Sequence, residues 1–156
     1  MVRTLEEDLD GRDVRVAIAV SRFNSVVTER LLAGAIEGLA QLGVPADTTV
    51  VAWVPGSFEL PFAARRFAES GRFDAVICLG CVIKGETEHD QYINQQMARG
   101  IAEVSTDTGV PAIFGVLTTN NLEQALARAD EGTTNKGYEA AYAAVTMSHL
   151  RRRLAE

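Results

Sequence analysis

The chain has 156 residues, 47% of them hydrophobic, and sets 15 Lys and Arg against 21 Asp and Glu for a formal charge of −6. That length supports one domain, residues 1–156, with a sizeable core, and with no basic block longer than Arg151, Arg152 and Arg153 nucleic acid is not an expected partner. The acidic start lacks the basic and apolar regions of a secretory signal, and the longest apolar run, around Ala75 to Ile83, is far shorter than a bilayer span, so a soluble cytoplasmic protein without a membrane partner is expected.

Residues 1–13 form a polar leader. Val14-Arg-Val-Ala-Ile-Ala-Val20 is a β-branched apolar run of the kind that forms a buried strand. Val27, Leu31, Leu32, Ala35, Ile36, Leu39 and Leu42 recur at spacings of three and four, which predicts an amphipathic helix closed by Gly43 and Pro45. Thr48 to Val54 reads as a second strand ending at Pro55-Gly56. Phe58 to Ala68 reads as a helix whose Pro61 fits only in the first turn. Asp74 to Ile83 is the third strand, and Ile93, Met97, Ile101 and Val104 mark a helix between Glu88 and Thr108. Ala112 to Leu117 is the fourth strand. Asn120 and Glu123 predict a capping box for a helix through Ala129, and a last helix runs from about Gly137 towards Leu154.

Strands alternating with helices through short connections imply βαβ units and a parallel sheet covered on both faces. Ligands in such sheets bind beyond the carboxyl ends of the strands. The search area is therefore Ser21 to Ser25, Pro55 to Glu59, Lys84 to His89 and Thr118 to Asn121. The Cys78-x-x-Cys81 pair lies within a strand, where residues three apart point to opposite faces. Buried thiols are expected there, and no metal site.

Each candidate side chain has an ordinary reading beside the functional one. Phe23 is either a ring tucked under the first helix or a ring presented at a loop tip. Glu59 begins a helix, where the helix dipole alone accounts for a carboxylate. Lys84-Gly-Glu-Thr-Glu-His89 leads from a strand into a helix through a glycine turn, so its free N–H groups are suited to a phosphate; His89 is a surface residue or a proton carrier. Glu86 and Glu88 must then point away from the anion, and the compensating charge is sought in Arg128 and Lys136. His149 and the Arg151–Arg153 run read as surface features of the last helix.

Five segments, Ser21-Arg-Phe-Asn24, Val54-Pro-Gly-Ser-Phe-Glu-Leu-Pro61, Gly80-Cys-Val-Ile-Lys-Gly-Glu-Thr-Glu-His89, Phe114-Gly-Val-Leu-Thr-Thr119 and Asn135-Lys-Gly137, resemble the lumazine synthase family in order and spacing. The resemblance covers roughly Val14 to Leu150. It implies a flavodoxin-like three-layer sandwich, with a four-stranded parallel sheet flanked by helices and an extended N-terminal segment. It implies a transferase that joins a ribitylaminouracil to a four-carbon ketone phosphate without metal or cofactor. By the same resemblance Phe23 stacks on the pyrimidine, and Ser57, Phe58 and Glu59 receive the ring and ribityl chain. Cys81, Val82 and Ile83 line the pyrimidine pocket. Glu86 and Thr87 form the phosphate turn with Arg128 as cationic partner, and Phe114 closes the pocket from a neighbouring subunit with Lys136 nearby. His89 matches the general acid/base, which suits a near-neutral imidazole.

The resemblance also implies a homo-oligomer, a pentamer built into a 60-subunit shell, with riboflavin synthase as a candidate partner. Two positions depart from the family pattern: Asp90 stands where many relatives carry an aromatic, and Asp130 to Thr134 replace a more basic stretch. Two other classes compete. A flavodoxin-like binding or signalling module fits the order of elements, although Ser21-Arg-Phe-Asn24 lacks the acidic cluster of a phospho-receiver. A catalytically idle shell or ligand-storage protein of the same fold fits as well.

Overall fold

Val16, Ile18 and Val20 turn to one face of β1 (Val16–Ser21), and Ala17 and Ala19 turn to the other. All five are fully buried in the computed structural model, which describes residues 1–85 and 89–156. A strand buried on both faces requires a sheet with helices on both sides. The chain continues through α1 (Ser25–Gln41), β2 (Val50–Val54), α2 (Leu60–Glu69), β3 (Ala75–Ile83), α3 (His89–Thr108), β4 (Ala112–Thr119), α4 (Leu122–Arg128) and α5 (Lys136–Leu154). The strands pair in parallel in the order β2-β1-β3-β4.

Two cores flank this sheet. On one face α1 lays Val27, Leu31, Ala35 and Leu39, α4 lays Ala125, and α5 lays Ala140, Ala141, Ala144 and Val145 over Ile18, Ile77 and Leu79. On the other face α2 contributes Leu60, Ala64 and Ala68, and α3 contributes Met97, Ile101 and Val104, over Ala17, Ala19, Val76 and Cys78. Each fully buried Leu, Ile or Val stabilises the fold by about 1.5–3 kcal/mol relative to its exposed state. The result is the expected flavodoxin-like α/β/α sandwich, with the strand order of that class over its first four strands. Among the described residues no helix is long and apolar enough to cross a membrane.

Several element ends differ from the sequence expectation for local reasons. Val14 is buried but lies in a turn, its N–H donating to the Gly11 carbonyl at 3.0 Å, so β1 starts at Val16. Thr48 belongs to a 3-10 turn, Ala46–Thr48, and delays β2 to Val50. Phe58 lies in a second 3-10 turn, Ser57–Glu59, and α2 starts at Leu60 with Pro61 in its first turn, where a missing N–H is harmless. β4 runs on to Thr119 because its last residues pair with Val82 and Ile83. The cap of α4 is Asn121 rather than Asn120. Its side chain accepts from the Gln124 N–H at 2.9 Å, while the Gln124 side chain accepts from the Asn120 N–H at 2.9 Å, so Glu123 is not the reciprocal partner.

The leader carries no helix or strand and folds back on α5. His149, Arg152 and Arg153, expected as surface features, are partly covered by the leader and bonded to it. His149 Nε2 lies 2.6 Å from the Asp10 carbonyl oxygen. Arg152 donates to the Asp13 carboxylate at 3.0 Å and to its carbonyl at 2.9 Å, and sits 3.4 Å from the Asp74 carboxylate. Arg153 donates to the Glu6 carbonyl and reaches the Asp8 carboxylate at 3.4 Å. An acidic leader and a basic last turn attract each other, and the carbonyl end of the helix dipole favours the same cations.

Candidate active site

After β1 the chain passes to β2 on one side and then crosses to β3 on the other, which leaves a crevice above the carboxyl ends of β1 and β3. A cavity of about 440 Å³ lies there, and three of the four strand-to-helix connections build its walls.

In the first connection, the Arg22 N–H donates to the Val54 carbonyl at 2.8 Å and the Phe23 N–H to the Pro55 carbonyl at 3.0 Å, which prolongs the β1–β2 ladder into the loops. The Phe23 ring is therefore held out rather than tucked under α1: it is 69% exposed and lines the cavity. The Arg22 guanidinium is spent elsewhere, over the Trp53 ring at 5.4 Å. In the second connection, Ser57 is buried against β3 because residue 80 has no side chain; a Cβ there would stand 2.7 Å from Ser57 Oγ. Phe58 and Glu59 line the cavity beside it. The Glu59 carboxylate makes no capping hydrogen bond at the start of α2, so helix capping does not account for where it points.

The third wall comes from the end of β3. That strand pairs with β1 only as far as Leu79 but with β4 as far as Ile83. Cys81, Val82 and Ile83 thus run on past β1, and all three line the cavity. His89 opens α3 and faces the same space with Asp90 and Ile93. Glu86 and Thr87, expected to form the phosphate turn, lie outside the described residues. Cys78 and Cys81 belong to opposite cores, as the strand periodicity requires. Burial pushes the Cys78 thiol up to about 12 and the Cys81 thiol up to about 11, so neither is a nucleophile at neutral pH.

Phe114, Arg128 and Lys136 do not line this cavity. Phe114 pairs with Cys78, three residues short of the Cys81–Leu117 pair, which is about 10 Å back along the strand; it stands 41% exposed on the edge strand. Arg128 is exposed in the last turn of α4, and Lys136 opens α5 with its ammonium 3.9 Å from Glu139. The fourth connection, Thr118 to Asn121, contributes nothing to the cavity either, because β4 lies on the far side of β3 from the crevice.

Four further residues, to which the sequence assigns no individual role, share the lining. Gly56, Gly85, Asp90 and Ile93 all line the cavity. Ile93 was findable, since it follows His89 at helical spacing. Asn24 and Gly80 act beneath the surface, and only Gly80 carried a signal, a glycine inside an apolar strand. The Asn135-Lys-Gly137 segment proves largely architectural. Asn135 is buried, donates to the carbonyls of Ala129 and Arg30 at 3.0 and 3.2 Å, and accepts from the N–H groups of Gly137 and Tyr138. A second hollow of about 490 Å³ lies beside it, lined by Arg30, Glu37, Asp130 and Glu131, but it offers no aromatic face.

A three-layer α/β/α sandwich whose parallel sheet has at its switch point a concave site with an exposed ring, a carboxylate and an imidazole belongs to the α/β proteins that suit a small molecule. The chain belongs to the 6,7-dimethyl-8-ribityllumazine synthase family, whose model matches residues 13–152. This is a transferase-type family of riboflavin biosynthesis. The matched span contains the whole sheet and every residue that lines the cavity.

Proposed function

We propose that this protein is a lumazine synthase. It condenses 5-amino-6-(D-ribitylamino)uracil with 3,4-dihydroxy-2-butanone 4-phosphate, releases phosphate and water, and forms 6,7-dimethyl-8-ribityllumazine, the penultimate step of riboflavin biosynthesis. The observation that carries this reading is the convergence of Phe23, Glu59, the Cys81–Ile83 segment and His89 on one cavity, in a chain of this family.

Phe23 stacks on the pyrimidine, the end of β3 meets its polar edge, and Ser57, Phe58 and Glu59 receive the ribityl chain. The primary amine attacks the ketone and water leaves, giving an imine; phosphate is eliminated, and the ribitylamino nitrogen closes the ring with loss of a second water. His89 lines the cavity where these protons must be taken and returned, and an imidazole can act in both directions. Holding two substrates in one cavity supplies much of the remaining acceleration.

Glu86 and Thr87 hold the phosphate, and Arg128 neutralises it. That Phe114, Arg128 and Lys136 do not line their own chain's cavity supports a site completed by a neighbouring subunit. The chain thus acts as a single domain within a pentamer, and twelve pentamers form a cytoplasmic shell. Light scattering on the purified protein tests the assembly, and a monomer would overturn it.

The reaction is tested by mixing protein and both substrates and following the optical signal of the lumazine beside a His89→Ala control. The expected result is product formation that the substitution slows. No rate above the uncatalysed background would overturn the enzyme reading and leave an idle shell or ligand-binding protein.

A further inference from the structure

Asn24 is the only residue other than glycine with a positive φ among the described residues, at φ 62° and ψ 43°. It also occupies the N-cap of α1, where asparagine ordinarily takes an extended backbone and turns its side chain onto the first free N–H groups of the helix. Neither happens here. The side chain makes no capping bond, and the Asn24 main-chain carbonyl alone accepts from Val27 and Thr28, at 2.9 and 3.1 Å. The amide is instead sent across the crevice, where Nδ2 donates to the Cys81 carbonyl at 2.8 Å.

That carbonyl lies two residues beyond the last β1–β3 pair, Val20 with Leu79. The Asn24 side chain therefore adds a rung between the two strands after the ladder has ended. Its left-handed backbone, which asparagine tolerates better than most residues, is what brings the amide across. The neighbouring Phe23 is fixed on its other side by the bond to Pro55. Two walls of the cavity, the Phe23 ring and the end of β3, are thus joined through one side chain.

We propose that Asn24 is a positioning residue that sets the separation between the Phe23 ring and the Cys81–Ile83 main chain, and so adapts the slot to a flat heterocycle bonded along its edge. This rests on the reading that the cavity takes the ribitylaminouracil, and deepens it. A side chain serving only to start α1 would cap the helix; this one gives up the cap.

The test uses full-length Asn24→Gly, which keeps the left-handed backbone at no steric cost but deletes the amide, and Asn24→Asp, which keeps the shape but sets an acceptor against an acceptor. Hydrogen exchange of peptides covering residues 79–85 reports the clamp without any ligand, and steady-state kinetics report its use. Expected in both variants are exchange at least tenfold faster at the end of β3 and a KM for the pyrimidine raised at least tenfold, with the KM for the ketone phosphate within twofold of wild type. Unchanged exchange and unchanged pyrimidine KM in Asn24→Gly would overturn the proposal. Equal rises in both KM values would also overturn it, since they would mean general loosening. Faster exchange in the variants of a wild type that makes no product would leave the clamp standing and sink the reaction.

Discussion

Gly137 lies directly against the Leu31 main chain, so close that a Cβ at position 137 would overlap the Leu31 carbonyl oxygen. This contact sets how near α5 comes to α1, and through them how the core of Leu31, Ala35, Ala141 and Val145 closes. Backbone cannot rotate away as a side chain tip does. Gly137→Ala should therefore push the helices apart and destabilise the fold by about 3 kcal/mol. The urea midpoint measures this, and a wild-type midpoint would show that the crossing has slack.

The two thiols predict a pH dependence at the alkaline end. Burial raises both above the ordinary 9, Cys78 to about 12 and Cys81 to about 11. The folded state thus holds these protons where the unfolded chain releases them. The associated stability is fully present below pH 9 and is lost as pH rises from 9 towards 12. The thermal midpoint should fall over that window, and fall less steeply in Cys78→Ala. Equal slopes for variant and wild type would assign the alkaline loss to other groups.

Arg152 joins three parts of the chain, holding Asp13 of the leader and Asp74 at the entry to β3 from its place on α5. Arg152 is partly and Asp13 largely solvated, but the Asp74 side chain is only 14% exposed. Arg152→Ala should cost about 1–2 kcal/mol, more than a surface pair, because a largely buried carboxylate loses a partner. Limited proteolysis should also cut the leader sooner, and more so at high salt, which screens its remaining pairs. A leader that resists cleavage as well in the variant as in wild type would remove the guanidinium from the clasp.

The proposed sharing of sites between subunits makes a prediction that mixed oligomers can test. His89→Ala should lower kcat by about 10²–10⁴-fold, and Arg128→Ala should weaken use of the ketone phosphate. If Arg128 serves a neighbouring chain, oligomers refolded from a mixture of the two variants contain sites with both residues intact. Their activity should exceed that of either parent. Activity equal to the average of the parents would mean that Arg128 serves its own chain.

Much of the architecture is legible locally. The spacing of Leu31, Ala35 and Leu39 marks the inner face of α1, and alternation through Ala75–Leu79 divides β3 between two cores. The first three connections are legible as candidate cavity walls from the position of each at the end of a strand. The fourth was not separable from them, because nothing local records that β4 lies beyond β3. The role of Asn24 was equally hidden: its partner is 57 residues away, and an asparagine before a helix reads as a cap. The contacts of His149, Arg152 and Arg153 with the leader are hidden for the same reason, since the leader is more than a hundred residues distant in sequence.

By itself the sequence determined which segments are strands and helices, which of their faces are apolar, and which residue types stand at the strand ends, because each of these depends on neighbours a few positions apart. Tertiary structure decided the rest. Strand order selects the three connections that share a cavity, register ends the β1–β3 ladder at Leu79 and leaves the Cys81 carbonyl to Asn24, and opposite charge draws the leader onto α5. These outcomes depend on contacts between distant segments, whose partners no local pattern specifies.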